Sequence, residues 1–243
     1  MNTCDYAGIA SYYEKWCMGD GSYMPTASFY RSYLSQYTGI FVELGVGTGR
    51  IAIPVSRQEN IKVYGIDMCE EMLRECERQR TPDADLSLFC ADFRDFDMPQ
   101  KADIVYMPFR TIGHMLTRAD LEGCFRSVQR NLKKGGLFLF DHYMFSRAWA
   151  EAHNDVEILM YEEAGLKITD RYRYDFLGHM MHCTISVNGS VTTRFNFRWI
   201  DTEEIREIYP KYGFCCEKLM GDFSGSTWTP ESSDQIWVLR RTG

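Results

Sequence analysis

The residues best placed to do chemistry form one short run, Val42-Glu43-Leu44-Gly45-Val46-Gly47-Thr48-Gly49-Arg50, in which three alternating glycines end an apolar stretch. Glycine permits positive φ and lets a ligand approach the backbone, and in open α/β sheets ligands bind at the carboxyl ends of strands. A nucleotide-like ligand belongs there. Asp67 closes the next apolar run, 20 residues after Gly47, where a carboxylate can accept hydrogen bonds from both hydroxyls of a ribose. The dinucleotide fingerprint would need glycine at 45, 47 and 50, but position 50 is arginine and the third glycine stands at 49. That departure weakens a dehydrogenase reading.

These residues need a sheet to position them. Apolar and amphipathic stretches alternate as strand Ile40 to Leu44, helix Gly49 to Gln58, strand Lys62 to Asp67, helix Cys69 to Gln79 and strand Leu86 to Cys90. The rhythm continues with strand Ala102 to Met107, helix Arg118 to Asn131, a turn at Lys134-Gly135-Gly136 and strand Leu137 to His142. This is the βαβ pattern of a parallel sheet. Upstream, Ile9 to Met18 and a stretch capped by Thr26 and running to about Tyr37 read as helices. From Glu157 to Trp199 the period becomes two, with Val191, Thr193, Phe195, Phe197 and Trp199 alternating against Thr192, Arg194, Asn196 and Arg198. Asn188-Gly189 signals a hairpin there. Thr202 then caps a helix to Tyr212, and Cys215 to Met220 and Gln235 to Arg240 supply two more strands.

The expected fold is α/β, a doubly wound, Rossmann-like, mostly parallel seven-stranded sheet with an antiparallel β insertion after the fifth strand. The expected organisation is an N-terminal helical lid over 1–38, a core over 39–156 and 201–243, and the insertion over 157–200.

Composition narrows the function. With 45% hydrophobic and 25% charged residues the 243-residue chain has globular proportions. A net charge of -7 without any basic run leaves a nucleic-acid partner without its phosphate contacts. No apolar run is long enough to span a bilayer and no leader pattern opens the chain, so neither a membrane partner nor export is expected and the location is read as cytoplasmic. The nine cysteines (Cys4, Cys17, Cys69, Cys76, Cys90, Cys124, Cys183, Cys215 and Cys216) are scattered without metal-site spacing and fit reduced thiols. His179, His182 and Cys183 come nearest to a metal cluster, but strand alternation would place the two histidines on opposite faces. No metal is expected.

Over about residues 40 to 142 the sequence resembles the class I S-adenosylmethionine-dependent methyltransferases. ELGVGTGR is similar to their glycine-rich first motif and YGIDMCEEML to their second. The resemblance implies that S-adenosyl-L-methionine is the cofactor, leaving as S-adenosyl-L-homocysteine. It implies that Gly45, Gly47 and Gly49 wrap the methionine end, Glu43 supports that loop, Asp67 binds the ribose, and Met68 packs on adenine. Asp92 and Phe93 in CADFRDF would read the adenine edge, with Met107 and Tyr13 also at the cofactor. Val46 stands where the family often has Cys, Gly or Ala.

After the fourth strand comes Met107-Pro108-Phe109-Arg110-Thr111-Ile112-Gly113-His114-Met115. It resembles the acceptor loop of the small-molecule branch that includes didesmethyltoxoflavin N-methyltransferase and amino-sugar N,N-dimethyltransferases, which implies a catalytic role for His114. Arg110, Tyr143 and Arg198 are the candidates for binding the acceptor, with Trp199 and Trp228 as further pocket or interface residues. The early Tyr6, Tyr12 and Tyr13 are similar to a tyrosine lid; an aromatic helix face packed on the sheet is the alternative. In this superfamily such an insertion covers the acceptor pocket or pairs subunits, which leaves room for a homodimer. The expected activity is methylation of a small molecule, nitrogen favoured; O-methylation and a noncatalytic cofactor-binding module are the alternatives.

Overall fold

The computed structural model describes residues 6–19 and 23–243; Cys4 and the first residues of the expected lid lie outside them. A 3-10 helix (Ala7–Tyr12) leads into α1 (Tyr13–Met18), and α2 (Tyr23–Leu34) precedes the first strand. Then follow β1 (Gly39–Leu44), α3 (Ala52–Ser56), β2 (Ile61–Asp67), α4 (Glu70–Gln79), β3 (Leu86–Cys90), β4 (Ala102–Met107), α5 (Arg118–Asn131) and β5 (Leu132–Tyr143). After α6 (Arg147–His153) come β6 (Glu157–Glu163), β7 (Leu166–Asp175), β8 (Met180–Val187) and β9 (Ser190–Arg198). The chain ends with α7 (Thr202–Ile208), β10 (Phe214–Met220) and β11 (Asp234–Arg241).

Seven strands form one sheet in the order β10-β11-β5-β4-β1-β2-β3, and β6-β7-β8-β9 form a separate four-stranded sheet. β1 to β5 pair in parallel, while β11 is antiparallel to β5 and β10 to β11. The central strands are apolar on both faces, as a parallel sheet covered by helices requires. Val42, Val105 and Phe138 face a cluster that includes Phe125 of α5 and Ile205 of α7; Phe41, Ile104 and Leu139 face the opposite one with Tyr30 of α2 and Val55 of α3. A third cluster joins Ile9 of the N-terminal segment to Met72 of α4 and to Ile185, Phe195 and Phe197 of the antiparallel sheet. Among the described residues no helix is long and apolar enough to cross a membrane.

Several boundaries differ from the sequence reading. Thr26 is not a cap but lies buried inside α2. α3 begins after Gly49 and Arg50 because Gly49, at φ 85, closes a turn onto Val46 with its N–H. The glycines at 135 and 136 do not end an element: β5 starts at Leu132, and a bulge pairs Ala102 with Leu132 and Ile104 with Leu137. Thr202 is the first helical residue of α7 and Asp201 occupies the cap position. Residues 209–212, expected in that helix, tighten into a 3-10 turn. Val191, the second residue of β9, is half-exposed rather than on the apolar face, beside a register shift in β8. The Asn188-Gly189 hairpin forms with both residues at positive φ.

Candidate active site

β1 and β4 are neighbours, but the chain continues from β1 outward to β2 and from β4 outward to β5. The strand order reverses between them, and this is where open α/β sheets leave a crevice. The glycine turn after β1 and the loop after β4 meet there, at the edge of a cleft of about 590 Å³. Gly45 is pressed against the loop, since a Cβ on it would lie 2.5 Å from Thr111 Cγ2. Gly47, at φ 53, is open: a Cβ there would meet Tyr13 Cε1 at 4.0 Å. Its bare backbone faces the cleft.

Asp67 ties the loop to the next strand. Its Oδ2 accepts from the Gly47 N–H and its Oδ1 from the Cys69 N–H, both at 2.9 Å. An ionised carboxylate has about four acceptor positions, so both oxygens retain capacity for ligand hydroxyls. Burial raises the Asp67 pKa, and the N–H groups of Cys69, Gly47 and Met68 oppose that rise. Met68, half-exposed, and buried Phe93 line the same end of the cleft. Asp92 lines it too, but Arg94 covers its carboxylate with contacts of 2.6 to 3.0 Å, so the carboxylate is largely spent on that clamp.

Three of the expected cofactor residues lie behind the cleft instead of on it. Glu43 is buried, accepts from Tyr106 Oη at 2.8 Å and is pushed up to about 8 by desolvation. That position suits support of the loop and not ligand contact. Gly49 faces Cys76 Sγ and Ile53, so its missing side chain makes room for helix packing. Met107 is fully buried in the core. Tyr13 does border the cleft, whereas Tyr12 points to solvent.

The loop after β4 is held in an uncommon shape. Phe109 and Arg110 have φ 57 and 60, a left-handed conformation that non-glycine residues adopt only when the surroundings enforce it. The enforcing group is buried Asp141, which accepts the Arg110 N–H at 2.9 Å and the Tyr30 O–H at 2.7 Å. Burial pushes Asp141 up to about 6. The Arg110 guanidinium lies 3.5 Å from Asp234 and over the Tyr143 ring at 5.9 Å.

His114 ends the 3-10 turn of this loop. Gly113 lets Phe197 close on the turn, and the His114 ring contacts Phe197 at 5.2 Å, Phe195 at 5.6 Å and Tyr6 at 5.7 Å. Its Nε2 lies 3.2 Å from Tyr6 Oη. Burial pushes its pKa down to about 4, so the ring is neutral at pH 7. The value of about 6.5 that a solvated histidine has does not apply to this ring. Tyr143 also lines the cleft, with a buried hydroxyl that has no hydrogen-bond partner among the described residues.

Arg198 is not at the cleft: on the polar face of β9 it pairs with Glu204 at 2.6 Å. Trp199 is buried on Phe145 at 4.0 Å, and Trp228 lies near Arg206. His179 stacks on Trp199, His182 bonds Asn196, and Cys183 is buried, so the three side chains have separate environments.

Sequence reasoning passed over Arg50 and most of the aromatic lining. Arg50 borders the cleft with its guanidinium 3.9 Å from the Phe109 ring centroid and 4.9 Å from that of Tyr13. Its place directly after the third glycine was the available signal. Trp16, Trp149, Tyr172 and Phe195 also line the cleft. They come from separate segments, and only the fold brings them together.

Residues 41–136 match the family model described as "Methyltransferase domain". Over its full length the chain is similar to "Putative methyltransferase YqeM" of Bacillus subtilis (strain 168), 26% identical across 98% of this chain and 97% of that one. A partial likeness, 29% identical over 43% of this chain and 40% of the relative, links it to a dTDP-4-amino-2,3,4,6-tetradeoxy-D-glucose N,N-dimethyltransferase of Saccharopolyspora spinosa. In fold it is similar to the crystal structure of an S-adenosylmethionine-dependent methyltransferase from Clostridium acetobutylicum ATCC 824. That likeness has a TM-score of 0.79 at 18% identity and covers 98% and 99% of the two chains.

Proposed function

We propose that the chain is an S-adenosylmethionine-dependent methyltransferase that methylates a nitrogen atom of a small molecule held in the cleft, a reading supported by the methyltransferase-domain match and the full-length likeness to a putative methyltransferase. The observation that carries this reading is the meeting of two groups at the strand-order reversal: the open glycine turn with Asp67, and the His114 loop. The bound cofactor supplies an electrophilic methyl group on a positively charged sulfur. Gly47 offers bare backbone to it, and Asp67 offers free acceptor positions to its ribose hydroxyls. Tyr13 closes over the turn, and Arg50 lies where it can meet a carboxylate.

On the acceptor side the residues need to place a lone pair roughly 3 to 3.5 Å from the methyl carbon and exclude water. Aromatic side chains around His114 do the excluding. His114, neutral at pH 7, can accept a proton from the acceptor. Nitrogen is favoured over oxygen because the partial relative is named for N,N-dimethyl transfer. A noncatalytic module would have no use for the part of the cleft that extends past the cofactor end to Trp149 and Tyr172.

The test is incubation with methyl-labelled cofactor and an extract of the source organism, followed by mass spectrometry of labelled products. A labelled small-molecule amine is expected, and label should be absent with Asp67→Ala, which should bind S-adenosylhomocysteine about 10²-fold more weakly. Label appearing only in nucleic acid or protein, or unchanged affinity in that variant, would overturn the assignment.

A further inference from the structure

Two aromatic walls bound the acceptor end of the cleft. In one, Tyr6 stacks on Phe195 at 5.1 Å, with Trp16 6.5 Å from each. In the other, Trp149 has Tyr172 at 6.2 Å and Tyr174 at 6.4 Å. Met160 and Met181 fill the lining with pliable thioethers. Such walls accept a flat apolar body.

The charges nearby are already engaged. Arg94 clamps Asp92 and Asp120, each at 2.6 Å, and Arg110 faces Asp234 with Asp141 on its own N–H. Arg50 lies at the cofactor end, over Phe109. Asp170 sits behind the rings, accepting from Trp16 Nε1 at 2.8 Å and Tyr172 Oη at 2.6 Å. Among the described lining residues a diphosphate entering at this end would meet arginines already paired with carboxylates, and burying a poorly compensated charge is unfavourable. The Tyr143 hydroxyl is a buried polar atom of the lining with no hydrogen-bond partner among the described residues. Its ring lies parallel to Phe197 at 6.0 Å, and Phe197 also touches His114. An unmatched buried hydroxyl is costly, and a ligand atom that pairs with it recovers that cost.

We propose that the acceptor is a planar aromatic amine, uncharged at neutral pH, which lies between the two aromatic walls with its polar atom on the Tyr143 hydroxyl. This rests on the reading that the other end of the cleft holds S-adenosylmethionine. The acceptor nitrogen's lone pair forms the new N–C bond as the S–C bond breaks, the sulfur keeps that electron pair, and the proton displaced from nitrogen passes to His114 or to water. The imidazole is suited to this acceptor. With its pKa pushed down to about 4 it cannot strip an alkylammonium, whose pKa is about 10. An N-methylated arylammonium holds its proton far less tightly and can release it.

The test uses the full chain saturated with S-adenosylhomocysteine and titrates aniline, indoline and 3-aminoquinoline by calorimetry against glucosamine and thymidine diphosphate. At least one arylamine is expected to bind saturably and the other two probes not at all. Tyr143→Phe should weaken the arylamine about fivefold and Trp149→Ala, at a half-exposed residue, about tenfold. Neither should change the affinity for S-adenosylhomocysteine. The proposal is overturned if no arylamine binds, if glucosamine or thymidine diphosphate binds in their place, or if both variants hold the arylamine as tightly as the parent. Failure of S-adenosylhomocysteine itself to bind is a separate result and removes the cofactor reading beneath it.

Discussion

His114 is where residue chemistry and environment part company. The resemblance of its loop to an acceptor loop marked it as a candidate base, and the structure places it at the cleft. What no spacing could show is the ring of Tyr6, Phe195 and Phe197 around it, drawn from opposite ends of the chain, which desolvates the imidazole. A base works while it is deprotonated, so lowering its pKa widens its working range downward. Turnover should stay level from pH 8 to about 5 and fall only as pH approaches the His114 value of about 4. A pH profile of turnover at saturating acceptor checks this; a break near 6.5 that persists in Asp141→Asn would show that the working ring is solvated, since Asp141, pushed up to about 6, holds the same loop. His114→Ala should lower turnover about 10²-fold with cofactor affinity unchanged, measured by single-turnover kinetics and calorimetry. A loss confined to the Michaelis constant would make it only a holding group.

At the scale of elements, β3, β4 and α5 were read to the residue from their apolar patterning, and α5 starts with a capping box between Thr117 and Asp120 that the sequence reading did not use. Arg198 was misplaced although the period-two alternation of β9 had already put it opposite the apolar face; its partner Glu204 lies in the next helix. The contact between Gly113 and β9 was not legible, because it joins an acceptor loop to a strand far along the chain. A Cβ at Gly113 would lie 2.2 Å from Phe197 Cζ. Gly113→Ala should therefore destabilise by about 1–3 kcal/mol through overpacking and reduce turnover by moving the Phe197 and His114 rings. Denaturant melts and turnover measured together decide it, and a loss of neither would show that Phe197 is free to shift.

β1 carries a second such consequence. Glu43, at its buried end, has its pKa pushed up to about 8 against an ordinary carboxyl value of 4.5. The folded state therefore binds this proton more tightly than the unfolded chain does. The resulting stabilisation is complete below about pH 4.5 and is lost as pH rises towards 8. Between pH 5 and 8 the protein should lose stability, on the order of a few kcal/mol, and Glu43→Gln should flatten that slope while retaining an oxygen to accept the Tyr106 hydroxyl. Urea melts across this pH range measure it. An equal slope in the variant would assign the loss to other groups, Asp141 among them.

At the scale of the molecule, the cleft joins parts that the sequence presents as separate: the N-terminal segment, the parallel sheet and the antiparallel insertion all contribute to its lining. The sequence announced the sheet through repeated apolar runs, but the contents of the insertion follow only a general alternation, so its role had to come from packing. That packing predicts how ligand binding should spread. Ile9 and Ala10 share an apolar cluster with Met72 of α4 and with Phe195 and Phe197 of β9, and α4 directly follows Asp67. A ligand seated on Asp67 and Gly47 therefore bears on the cluster from the cofactor side. S-adenosylhomocysteine at about 100 times its dissociation constant should stabilise the fold by about 2.7 kcal/mol. For a chain of this size that corresponds to a rise in Tm of roughly 5 to 10 °C. Amide hydrogen exchange should show slowing not only in the glycine turn but also over residues 7–18 and in β8 and β9, because opening any one of these exposes the shared cluster. Slowing confined to residues 43–50 and 67–72 would mean that the N-terminal segment and the insertion open independently of the cofactor site, and the aromatic walls would then be assembled by the acceptor and not before it.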